Sequence, residues 1–339
     1  MKIRKLHIKN FKSIADLEII EPNPFTVFVG PNGSGKSNIF EALELSTLTD
    51  RFGSGVEDFF GGIDSIKRYG TQLDDLKISW TSSENKDFLI DTVGISEDEN
   101  LNIAIANFVQ PIVQKEGFSI MDSATTFPKT HKQFFKEFSR IFIKNIEKQK
   151  FNITSNSKLS LSCDNLEKVL KRILIDELKK EEIGEWLDLF IPGYDKVEIE
   201  SNELSGTDTL FMYEKRFSKP FTKELLSDGT YNILALLTAV FQSDEPQFLC
   251  IEEPENGLTP DVIKEMVTLF RNACEEKGHY IWLNTHSQSL VSQLTPDEII
   301  TVNKIKGETK IKQFKGQDFH RLRMDEAWLT NTLGGGLPW

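Results

Sequence analysis

The residues Gly30-Pro31-Asn32-Gly33-Ser34-Gly35-Lys36-Ser37 fit the spacing G-x-x-x-x-G-K-[ST]. Glycines at these places let successive backbone N–H groups turn inward around a phosphate, and a helix starting there adds its positive end. In such a cradle Lys36 would neutralise the β and γ phosphates of a nucleoside triphosphate, Ser37 would ligate Mg²⁺, and Asn38 would complete the set of contacts. A second cluster lies far downstream, where the apolar run Phe248-Leu249-Cys250-Ile251 ends in Glu252-Glu253-Pro254-Glu255-Asn256-Gly257-Leu258. Carboxylates leaving the carboxyl end of a strand are suited to a Mg²⁺ shell and to a water aligned on the γ-phosphate. Glu252 is therefore assigned to the metal shell and Glu253 to polarising water.

Two shorter signals stand beside these. Leu226-Ser227-Asp228-Gly229-Thr230 opens the apolar segment Tyr231–Phe241, and Ser227 or Asp228 would serve equally as a helix N-cap. Thr285-His286-Ser287 follows the apolar stretch Tyr280–Leu283. A lone histidine is commonly an ordinary surface or core residue, but at this place in the order His286 is suited to touch a γ-phosphate.

The elements that must position these groups are readable from hydrophobic periodicity. Lys5–Lys9 alternates as a half-buried strand, and a second short strand around Leu17–Ile20 suggests an antiparallel start. Phe25–Val29 is β-prone throughout, as in a strand buried on both faces, and runs into the glycine loop. Asn38–Leu48 has helical spacing without a breaker.

Taken together, the opening Ile8-Lys9-Asn10-Phe11-Lys12-Ser13, the glycine loop, Leu226–Thr230, Glu252–Leu258 and Thr285-His286 resemble the ABC-type P-loop ATPases, within the branch related to RecF, OLD and structural-maintenance-of-chromosomes proteins. The resemblance covers about the first 50 and the last 120 residues. It implies an α/β ABC-type head with an N-terminal antiparallel β portion and a parallel core sheet, and ATP and Mg²⁺ as cofactors. It also implies a homodimer formed on ATP binding, in which Ser227, Asp228 and Gly229 of one copy meet the nucleotide of the other. Asn256–Leu258 would then be the loop joining the two sites, and Glu253 the catalytic base aided by Lys36 and His286. Two departures stand out. The first acid of the pair is usually aspartate, and here it is Glu252. A lid-loop glutamine, which would join Ser37 and Glu252 at the metal, is not fixed by spacing; Gln110 and Gln72 fit, with Gln110 preferred.

The head is expected in two pieces, residues 1–84 and 216–339, around an inserted, mainly helical subdomain at 85–215. That insertion is too short for a long coiled coil and lacks sustained heptads. Within it Lys132, Lys136, Arg140, Lys144 and Lys148 recur at four-residue intervals among Phe134, Phe138, Ile141, Phe142 and Ile146. On a helix this forms a basic ridge beside an apolar face, either simply a solvated surface or a track for a DNA or RNA backbone. Asp164–Leu170 reads as a capped amphipathic helix. Alternating strands are expected near Val197–Ile199 and Leu210–Tyr213.

Composition narrows the classes. Net charge is −12 over 339 residues, so nucleic acid or anionic lipid would need a local basic patch. Cys163, Cys250 and Cys274 have no paired spacing, which argues against a disulfide framework or zinc site and fits a reducing cytoplasm. Neither a signal peptide nor a membrane span is expected. The stretch after His286 is short for an attached nuclease domain, and the histidines form no metal cluster with neighbouring acids. The reading is thus a cytoplasmic ATPase regulating a separate nuclease or toxin acting on nucleic acid, as in bacterial anti-phage defence. A RecF-type repair ATPase and a nucleotide-gated scaffold with little turnover are the alternatives, and the nucleotide-binding subunit of a transporter is a third. The tail from Trp328 would fold back on its own lobe or dock on a partner.

Overall fold

The computed structural model describes residues 2–52, 59–70, 76–83, 87–93, 108–111, 137–143, 157–202, 206–320 and 322–335. The chain divides into two compact units, one of residues 1–138 with 294–339, the other of 139–293.

In the first unit β1 (Lys2–Phe11) alternates as its sequence dictates, with Ile3, Leu6 and Ile8 buried. It pairs antiparallel with β2 (Ile14–Ile20) and with β4 (Lys77–Ser83). β5 (Asp87–Val93) and β6 (Phe108–Pro111) extend this sheet in the order β2-β1-β4-β5-β6. Every residue of β3 (Phe25–Val29) is buried, as expected for a strand covered on both faces. β3 runs parallel to β13 (Ile299–Ile305), which pairs antiparallel with β14 (Glu308–Gln313). After β3 the chain turns through the glycine loop into α1 (Lys36–Phe52). The carboxyl-terminal helix α6 (Met324–Leu329) buries Trp328, with Leu333 buried beyond it, and Lys312 Nζ donates to the Leu333 carbonyl at 3.0 Å. The tail as far as Gly335 therefore folds back on its own unit.

The second unit contains β11 (Phe248–Glu252) and β12 (Tyr280–Thr285), both buried throughout and parallel, with Glu252 opposite Asn284. β7 (Phe138–Ile141) lies beside β11. A separate antiparallel sheet comprises β8 (Tyr194–Asn202), β9 (Thr207–Glu214) and β10 (Phe221–Thr222). The longer helices described in this unit are α2 (Leu166–Ile173), α3 (Glu177–Phe190), α4 (Asp228–Phe241) and α5 (Pro260–Glu276). α4 is apolar almost all round and buried from Asn232 to Phe241, as its sequence requires of a core helix. Among its described residues, the stretch 85–215 carries β5, β6, β7, β8 and β9 beside α2 and α3.

Candidate functional site

The phosphate half lies in the first unit. Gly33 and Gly35 take positive φ of 76° and 100°, which glycine adopts without steric penalty. Lys36 Nζ donates to the carbonyls of Gly30 (2.6 Å) and Pro31 (3.0 Å), so the loop is curled around its own lysine. The loop is braced from behind by residues far away in sequence. Thr309 Oγ1 donates to the Ser34 carbonyl at 2.9 Å, Ser13 Oγ lies 2.6 Å from Thr309 Oγ1, and Asn38 Nδ2 donates to Ser13 Oγ at 2.6 Å. Lys12 pairs with Glu41 on α1. The Asn10–Ser13 turn therefore ties β1 to the loop and its helix, and the Asn38 side chain serves as a brace. A Cβ at Gly35 would run into Thr309 Oγ1. Ser34 Oγ is buried with no hydrogen-bond partner among the described residues, a donor left for a group such as a phosphate oxygen.

The carboxylate half lies in the second unit, at the carboxyl ends of β11 and β12. Glu253 sits in the left-handed region (φ 48°), and its N–H donates to the Asn284 carbonyl (3.0 Å) and to Asn284 Oδ1 (3.2 Å). Asn256 Nδ2 donates to Glu253 Oε2 at 3.1 Å, and His286 Nδ1 stands 3.6 Å from Glu253 Oε1. The carboxylate is thus held by Asn256, with His286 beside it, while remaining about 30% exposed, and His286 is half exposed. Thr285 Oγ1 donates to Glu255 Oε1, and Ser287 N–H donates to Thr285 Oγ1 at 2.9 Å, joining the histidine turn to the acidic loop. Burial raises the Glu255 carboxyl above the usual carboxylate range, partly offset by the Thr285 hydroxyl.

Helix α4 meets the same loop. Ser227 is its N-cap, with Oγ accepting from Thr230 N–H at 3.1 Å, and both Ser227 and Asp228 are exposed. A Cβ at Gly229 would strike the Gly257 carbonyl, so glycine is required by this close approach. Asn232 Nδ2 donates to the carbonyls of Pro254 (2.9 Å) and Asn256 (2.7 Å).

Two expectations are corrected. Arg140 is not on a helical ridge: it stands in strand β7, 5% exposed, and its Nε donates to Glu252 Oε1 at 2.7 Å while Nη2 bonds the same oxygen. Pairing with β11 overrode the four-residue spacing, because the strand delivers the guanidinium to a carboxylate that is itself buried. Gln110 stands in β6, opposite Leu89, in a strand and not a lid loop. Gln72, Lys132, Lys136, Lys144 and Lys148 lie outside the described residues.

Sequence reasoning singles out neither Asn232 nor Thr309, and it gives Arg140 a surface role in place of its contact with Glu252. Asn232 left a faint signal, an amide inside an apolar helix. Thr309 left none, because its partners are distant in the chain.

The Ser37 hydroxyl and the Glu252 carboxylate are each hard oxygen donors of the kind that Mg²⁺ takes. Among the described residues no group of three or more His, Cys, Asp or Glu side chains could hold a metal by itself.

A family described as "AAA domain, putative AbiEii toxin, Type IV TA system" matches residues 25–292, more than three quarters of the chain. An ATP/GTP phosphatase of Helicobacter pylori is 21% identical over 93% of both chains. The RecF DNA replication and repair protein of a Synechococcus species is 44% identical over 52 residues, and the chromosome partition protein Smc of Methanocaldococcus jannaschii 54% identical over 41. These last matches span only 14% and 4% of those proteins. Among solved structures, an Smc head bound to the C-terminal winged-helix domain of ScpA superposes with a TM-score of 0.58 at 16% identity, covering 96% of this chain and 99% of that one. The Thermotoga maritima SMC head domain gives 0.52 at 16%, covering 92% and 99%. The matched span includes the glycine loop, the acidic strand end and the histidine turn, and the chain belongs to this AAA-domain family, with the fold of an SMC head.

Proposed function

We propose that the chain binds ATP with Mg²⁺ at Gly30–Asn38 and hydrolyses it with Glu253 as general base. The observation that carries this reading is the hold on Glu253: a left-handed backbone anchored to Asn284, a carboxylate fixed by Asn256, and His286 beside it. A base oriented in this way accepts the proton of an attacking water without first reorganising. Lys36 and the loop amides hold the phosphates, and His286 adds a donor for charge developing on the γ-phosphate. When bound, Mg²⁺ would neutralise phosphate charge, with Ser37 and Glu252 holding it. The Helicobacter relative's name, ATP/GTP phosphatase, supports the same reaction class.

ATP binding then closes a homodimer in which Ser227, Asp228 and Gly229 reach the partner's nucleotide; the exposure of Ser227 and Asp228 supports this. Opening and closing of that dimer regulates a separate effector, a nuclease or toxin acting on nucleic acid in bacterial defence. The family description's type IV toxin–antitoxin system supports such a setting, while the RecF relative supports a DNA-repair role as the alternative. The Smc head neighbour was crystallised with a protein partner, which supports a head that works with a second protein. Without Arg140 direct nucleic-acid contact rests on Lys132, Lys136, Lys144 and Lys148 alone. No helix of the described residues is long and apolar enough to cross a membrane, and we place the protein in the cytoplasm.

Light scattering on Glu253→Gln tests the assembly step. A monomer that becomes a dimer only with Mg²⁺-ATP supports it, and a mass indifferent to nucleotide rejects it. One observation favours a second reading, the nucleotide-gated scaffold: the carboxylate assigned to the metal is already engaged by Arg140.

A further inference from the structure

We propose that Arg140 is a positioning residue for Mg²⁺-dependent nucleotide binding, acting through Glu252. This rests on the ATPase reading above. Both Nε and Nη2 of Arg140 converge on one carboxylate oxygen, Glu252 Oε1. The two side chains are 2% and 4% exposed, so neither exchanges freely with water. They come from neighbouring strands, β7 and β11, whose backbones fix where each side chain starts.

A fork that grips one oxygen from a rigid neighbouring strand sets the rotation of the carboxylate about its last bond and thereby where its other oxygen points. This matters more for glutamate than for aspartate. The additional methylene adds a rotatable bond, and an unrestrained longer side chain would spread its carboxylate over several rotamers. Arg140 removes that freedom. The guanidinium also supplies the counter-charge that a buried carboxylate needs when no metal is present. Groups that orient a metal ligand from outside the coordination sphere commonly change metal affinity when removed, without touching the metal themselves.

The test uses the full-length chain and binding, not turnover. A fluorescent ATP analogue is titrated first in EDTA and then against rising Mg²⁺, for wild type, Arg140→Lys and Arg140→Gln. Arg140→Lys keeps the charge but loses the fork, and Arg140→Gln keeps a donor but loses the charge. The expected result is nucleotide binding in EDTA like that of wild type, with the Mg²⁺ concentration for half-maximal tightening raised about tenfold or more. Arg140→Lys should be the milder. A Mg²⁺ midpoint unchanged in a folded variant overturns the inference and leaves the ATPase reading standing. An equal loss of binding with and without Mg²⁺ also overturns it, since the pair would then only support the fold, and so does failure of both variants to fold. A wild-type chain that binds no nucleotide overturns the underlying reading, and this one with it.

Discussion

Replacing Asn232 probes how the acidic loop is held. The side chain is 2% exposed within the apolar helix α4, and its amide donates to two loop carbonyls, those of Pro254 and Asn256. Asn256 in turn holds the Glu253 carboxylate. A hydrogen bond of this kind contributes about 1 kcal/mol net, and a buried carbonyl left without a partner costs about 1–3 kcal/mol more. Asn232→Asp nearly keeps the volume but removes both donors and turns acceptors toward the carbonyls. It should therefore destabilise the protein by about 3 kcal/mol or more, whereas Asn232→Ala should cost about 3 kcal/mol. Urea unfolding reads this as a lower midpoint at unchanged slope. In the folded fraction kcat should fall with nucleotide affinity retained, because the loop, not the phosphate cradle, is loosened. A shift below about 0.5 kcal/mol in both variants, the level of an ordinary surface change, would refute the claim that this amide anchors the loop.

Other outcomes follow from the same geometry. Gly35→Ala puts a Cβ against Thr309 Oγ1 at a positive φ, and should abolish nucleotide binding measured by titration calorimetry while the chain remains folded by circular dichroism. Ser227→Ala removes the cap of α4 and should lower stability by about 1 kcal/mol, visible as a reduced melting temperature. Burial lowers the His279 pKa from 6.5 to about 4, with Lys277 adding to the effect. Folding therefore favours the neutral ring. The associated stability is present above pH 6.5 and is lost as pH falls toward 4, by about 3 kcal/mol in all. His279→Gln should flatten that limb of the stability profile.

The sequence made most of the phosphate half legible, and the reason is local. The conformation of Gly30–Ser37 depends on glycines adjacent in the chain, and it is flanked by a continuous β-prone run and a helical stretch without a breaker. β3 was read at its observed bounds, and β11 and α4 within a few residues of theirs. What could not be read was whatever depends on pairing between distant segments. Arg140 shows this most clearly. Its helical spacing is real, yet Phe138–Ile141 takes a strand beside β11, where Arg140 meets Glu252. The bracing of the glycine loop by Ser13 and Thr309 is hidden for the same reason, since those residues lie 296 positions apart. Ser227 illustrates a third case, in which the modest explanation of an N-cap and the functional one rest on the same exposed hydroxyl.

The most direct test of the central claim is phosphate release from Mg²⁺-ATP by the wild-type chain beside Glu253→Gln, with nucleotide binding measured on both. The account predicts steady turnover in wild type that falls by about 10²-fold or more in the variant, while the variant still binds ATP. No turnover above background in a wild-type chain that binds ATP, or turnover unchanged by Glu253→Gln, would contradict it.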